Sequence, residues 1–120
     1  MNLEEFIKTQ LESVDELRAL LLLYSDPQKE WDVTAIAVKL YLRPAAAAAV
    51  LTRLAAKHFL VADGEPLRYR FQPRSSELSQ LVKELAELDR QRPVTLLNMI
   101  YSRPKDIQAF ADAFRIKKES

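Results

Sequence analysis

The sequence predicts a mainly α-helical domain carrying one small β-hairpin. Apolar residues recur at helical spacing through most of the chain, and strict alternation occurs in one stretch only, Leu67-Arg68-Tyr69-Arg70-Phe71. Glycine occurs once, at Gly64, so turning falls to six prolines and to helix caps, the punctuation of a helical protein. With 120 residues and 48% hydrophobic content, one domain spanning 1–120 is expected.

Residues 2–12 place Leu3, Phe6, Ile7 and Leu11 on one face behind an Asn2 cap, with Glu5 three residues on. Ser13-Val14-Asp15-Glu16 has capping-box spacing and opens a second helix striped with Val14, Leu17, Leu21 and Tyr24. Its end is apolar nearly all round, as in a helix covered on more than one side, and Ser25-Asp26-Pro27 stops it. Asp32 caps a third helix whose Val33, Ile36, Ala37 and Leu40 face one core. Pro44, at a first-turn position, starts a fourth. There Ala47, Val50, Leu51, Leu54 and His58 share a face, while Ala45, Ala48, Ala49, Thr52, Arg53 and Ala56 look away.

Phe59-Leu60-Val61-Ala62 and Leu67–Phe71 flank Asp63-Gly64-Glu65-Pro66 and read as the hairpin. After Pro73, Ser75 or Ser76 caps a helix with a seam of Leu78, Leu81, Val82, Leu85 and Leu88 running to about Arg90. Helix periodicity does not separate a dimer interface from intrachain core here. Two further helices are expected after Pro93 (Val94, Leu97, Ile100, Tyr101) and Pro104 (Ile107, Phe110, Ala111, Phe114), followed by a fraying tail from Lys117.

Composition removes several classes of function. Without cysteine there is no disulfide, thiolate nucleophile or cysteine metal site, and the single histidine, His58, makes no metal cluster. No cofactor is expected. Neither a Gly-x-Ser-x-Gly elbow nor a phosphate-binding glycine loop is present, and His58, the sole candidate base, reads as a helix terminator, so catalysis is not expected. The longest apolar runs are far shorter than the roughly 20 residues that cross a bilayer, and the acidic start MNLEEF is unlike a signal peptide; a cytoplasmic protein without membrane contact is expected. Phe110 and Phe114 beside Arg115, Lys117 and Lys118 fit core followed by a soluble tail better than a membrane-surface helix.

Net charge is +1 and unevenly spread. Residues 1–30 hold three Lys and Arg against seven Asp and Glu, whereas residues 31–74 hold seven against three. That balance allows one basic face on a neutral body.

Three helices followed by a two-stranded wing resemble the winged helix-turn-helix. Val33-Thr34-Ala35-Ile36-Ala37-Val38-Lys39-Leu40 is similar to its second helix. Leu51 and Leu54, then Phe59-Leu60, resemble the leucines and the hydrophobic pair that lead from the recognition helix into the wing, and Tyr69-Arg70-Phe71-Gln72-Pro73 resembles the returning strand. The resemblance covers residues 13–74. The added helices on both sides, including a C-terminal part 75–120 suited to dimerisation or partner contact, look most like a MarR-type or related small bacterial transcriptional regulator. That implies a homodimer joined through its termini and bound to double-stranded DNA.

Two departures stand out. His58 occupies the end of the recognition helix, where the family usually has glycine. The recognition helix itself, RPAAAAAVLTRLAAK, offers mostly methyl groups where base-reading side chains are expected. DNA contact therefore falls to Lys39, Arg43, Thr52, Arg53, Lys57, Arg68 and Arg70, gripping mainly the backbone. The alternative is a winged-helix module that has lost DNA readout and binds a protein through the Ala45–Ala49 face or the C-terminal helices. The bland reading, in which cations solvate a surface and alanine serves helix propensity, stands beside both.

Overall fold

Side-chain caps set the starts of four helices. In the computed structural model, which describes residues 1–101, Asn2 Oδ1 accepts from the Glu5 amide at 2.8 Å, opening α1 (Leu3–Gln10). Ser13 Oγ accepts from the Glu16 amide at 3.1 Å, opening α2 (Val14–Ser25). Asp32 Oδ1 accepts from the Ala35 amide at 2.7 Å for α3 (Val33–Leu40). Ser75 does the same for α5 (Ser76–Gln91), at 3.2 Å from the Leu78 amide. Two helices begin on proline instead, α4 (Pro44–Ala56) and α6 (Pro93–Tyr101), where the missing N–H costs nothing. The expected helix after Pro104 and the tail from Lys117 lie outside the described residues.

Between α4 and α5 runs an antiparallel hairpin of β1 (Leu60–Asp63) and β2 (Arg68–Phe71), in register Leu60↔Phe71 through Asp63↔Arg68. Leu67, expected to alternate with Tyr69 and Phe71, lies in the turn and is exposed. Gly64 supports that turn at φ +92, where an added Cβ would meet the Pro66 carbonyl oxygen at 3.2 Å. Trp31 adds a one-residue third strand: its amide donates to the Tyr69 carbonyl at 2.8 Å, and the Tyr69 amide donates to the Trp31 carbonyl at 2.7 Å. A tie made by a single residue leaves no periodicity in the sequence.

The core gathers one face from every helix: Phe6, Ile7 and Leu11 of α1 and its end, Leu17, Leu20 and Leu23 of α2, Ile36 of α3, Leu51 and Leu54 of α4, Leu85 of α5, and Leu96 and Ile100 of α6. Tyr69 and Phe71 reach it from the wing. In the α5 seam, Leu81, Val82 and Leu85 are buried and Leu78 and Leu88 pack against the same cluster, so the stripe is core of the chain itself. Among the described residues no single helix is long and apolar enough to cross a membrane.

Candidate nucleic-acid interface

The connection Tyr41-Leu42-Arg43 joins α3 to α4 and bends the chain by 110°, the crossing expected of a helix-turn-helix. Tyr41 takes the left-handed conformation, φ 57, and the Leu42 amide donates back to the Ala37 carbonyl at 2.9 Å. The far end of α4 closes the same way. His58 stands at φ 70, its amide donating to Ala55 at 3.0 Å, while the Phe59 amide donates to Leu54 at 3.1 Å. This is a Schellman closure with histidine at the position that favours glycine. It directs the chain into β1 and leaves the imidazole exposed rather than on the apolar face assigned to it from spacing.

Between these ends, α4 buries Ala47, Val50, Leu51 and Leu54 and exposes Ala45, Ala46, Ala49, Thr52 and Ala56, with Ala48 half-buried. None of the described residues covers the exposed alanines. The face is a row of methyl groups, able to meet a thymine methyl but unable to donate or accept. Thr52 is turned inward chemically, its hydroxyl donating to the Ala48 carbonyl at 2.8 Å.

The seven candidate residues divide by partner. Lys39 and Arg43, at the end of α3 and the start of α4, are exposed and have no ion-pair partner among the described residues. On the wing, Arg68 and Arg70 flank Glu30, each at 3.8 Å, and Arg70 also donates to the Gln72 side chain at 2.6 Å. Such long, exposed pairs are worth about 0–1 kcal/mol, so those two guanidinium groups remain available to a polyanion.

Arg53 and Lys57 are held differently, by carboxylates from the α1–α2 corner. Lys57 Nζ donates to Glu16 Oε1 and to the Gln10 carbonyl and lies 3.4 Å from Glu12 Oε2. Arg53 Nε lies 3.5 Å from Glu16 Oε2 and 3.6 Å from Glu12 Oε2. Glu16 is fully buried, a site where a carboxylate persists only beside cations. The capping-box spacing is thus half fulfilled: the Glu16 amide uses Ser13, but its carboxylate reaches across the fold to α4. Sequence reasoning missed this because the partners are 41 residues apart.

Lys29 is a further cation, sharing with Lys39 a hollow beside α3, its Nζ 3.9 Å above the Trp31 ring. It lies just outside the basic stretch 31–74.

No family model matches the chain, and no curated protein matches its sequence. Solved structures do. A MarR family protein from Bacillus stearothermophilus is 19% identical with a TM-score of 0.54, the match covering 97% of this chain and 80% of that one. The MarR family transcriptional regulator SPO1453 from Silicibacter pomeroyi gives 14% identity and a TM-score of 0.56 over 98% of this chain and 84% of its own. The fold is the MarR-type winged helix. A third structure with this winged helix is Bordetella bronchiseptica BpsR, whose DNA binding is regulated by 6-hydroxynicotinic acid. It is 16% identical with a TM-score of 0.55, over 93% of this chain and 78% of its own. Likeness at such identity speaks for the fold alone: α3 and α4 form its helix-turn-helix and β1–β2 its wing hairpin.

Proposed function

We propose that this protein is a non-enzymatic, DNA-binding transcriptional regulator that grips the duplex mainly through its phosphates. The observation that carries the reading is the open outer face of α4, lined with methyl groups small enough for close approach, together with Lys39 and Arg43, which have no ion-pair partner among the described residues, and the weakly paired wing residues Arg68 and Arg70. Cations at these positions neutralise phosphates and fix the protein's placement, while alanine supplies at most a contact with thymine methyls. Few phosphates are met by so small a set, so a homodimer using the terminal helices, residues 75–120 among them, is part of the proposal.

The test is titration of a labelled random-sequence duplex at two salt concentrations, with Arg43→Ala/Arg68→Ala as the comparison. Affinity should fall steeply with salt, and the double variant should bind more weakly with a salt slope shallower by about 2, one for each lost phosphate contact. Absence of binding by a folded dimer at low salt refutes the proposal.

One observation favours a second reading. Val38 and Tyr41, 71% and 91% exposed, stand at the same corner as Ala45 and Ala46 and give it an apolar character suited to a protein partner. In that case Tyr41→Ser should abolish partner binding and the duplex titration should stay flat.

A further inference from the structure

The four charges beneath the C-terminal half of α4 are unequal. Lys57 is the tightly held cation, with its side chain only 20% exposed and its ammonium on both Glu16 and the Gln10 carbonyl. Arg53 is the loose one. Its side chain is 42% exposed, its contacts with Glu12 and Glu16 are 3.6 and 3.5 Å, and its Nε makes no hydrogen bond although it is buried. The facing Glu16 Oε2 likewise lacks a hydrogen bond. An arginine at 3.5 Å without aligned donors has Coulomb attraction but not the directed bond that makes arginine–carboxylate pairs strong.

Charge balance then decides which cation can leave. Removing Lys57 leaves the fully buried Glu16 carboxylate with only the unaligned Arg53 beside it, which is costly. Withdrawing Arg53 leaves Glu16 still bonded to Lys57, and Glu12, 38% exposed, still 3.4 Å from the Lys57 ammonium. Arg53 also lies one turn beyond the exposed Ala49 and next to the exposed Thr52, at the border of the outward face of α4.

We propose that Glu12 and Glu16 act as an internal stand-in for DNA phosphate, holding Arg53 back in the free protein, and that Arg53 exchanges these carboxylates for a phosphate when duplex DNA is bound. Glu12 is the competitor in this exchange and Lys57 the anchor that keeps Glu16 neutralised throughout. The inference rests on the DNA-binding reading and adds to it a self-inhibiting contact that sets affinity.

The experiment is the duplex titration at two salt concentrations on the full chain, with wild type, Glu12→Gln, Arg53→Gln and the double variant, each first shown by thermal unfolding to be folded. Glu12→Gln should tighten binding about two- to five-fold, the size of a lost exposed ion pair. Arg53→Gln should weaken binding and make the salt slope shallower by about 1. In the Arg53→Gln background, Glu12→Gln should give no gain, since no arginine is then there to be released. An equal gain in both backgrounds would mean that Glu12 acts only through general repulsion of DNA, and would overturn the proposal. So would an Arg53→Gln variant with wild-type affinity and slope; either result leaves the DNA-binding reading intact. If folded wild type binds no duplex at low salt, the reading fails and the exchange with it.

Discussion

The two halves of α4 are built on opposite plans. From Pro44 to Ala49 the outer side is bare: small side chains, no polar contacts, and a start made by proline without a side-chain cap. From Thr52 to His58 the helix is tied down, by the Thr52 hydroxyl on Ala48, by Lys57 on the α1–α2 corner, and by the closing bonds into β1. The difference teaches where this helix gets its orientation. Its position is fixed from the C-terminal end and from the buried side, which leaves the N-terminal outer surface free of structural duty.

The sharpest way to break that comparison is Leu51→Ala on the buried side. Leu51 has no exposure, so truncation should cost about 2–5 kcal/mol, read as a drop in the denaturation midpoint at unchanged slope. Next comes Lys57→Met, which keeps the packing but removes the anchor of Glu16. A loss of about 2–3 kcal/mol is expected, below the range for a fully buried pair because Lys57 is partly exposed. Combining it with Glu16→Gln should return most of that loss, since both charges then disappear together. His58→Gly should act in the other direction. Relieving φ 70 at the helix end should raise stability by about 0.5–1 kcal/mol, measured as a higher thermal midpoint. Ala49→Gln, in the bare half, should stay within about 0.5 kcal/mol of wild type; a larger loss would show that this surface is packed after all.

Local chemistry was legible and distant chemistry was not. Asn2, Ser13, Asp32 and Ser75 cap the helices where their spacing placed them, because a cap involves residues three apart. Pro44 and Pro93 open helices for an equally local reason. His58 reads as a terminator in a glycine position, and its left-handed backbone agrees, although spacing alone also puts its ring on the buried side, where the structure does not. The α5 leucines could be read as seam or core, and only the meeting of α5 with α1, α2 and α6 decides for core. Arg53 and Lys57 show the limit most clearly. Their charge and their helix were evident, but whether each faces a carboxylate or solvent depends on where the α1–α2 corner falls, which no periodicity in α4 encodes.

Trp31 gives the fold one more property. It is the lone tryptophan of the chain, sits almost wholly inside, and joins the segment entering α3 to the returning strand through paired amide bonds. The indole is therefore a natural optical gauge placed on the seam between the hairpin and the segment entering α3. Any event that lifts the hairpin from this segment must unzip those two bonds and uncover the ring, so emission colour and intensity would follow the motion without an attached dye.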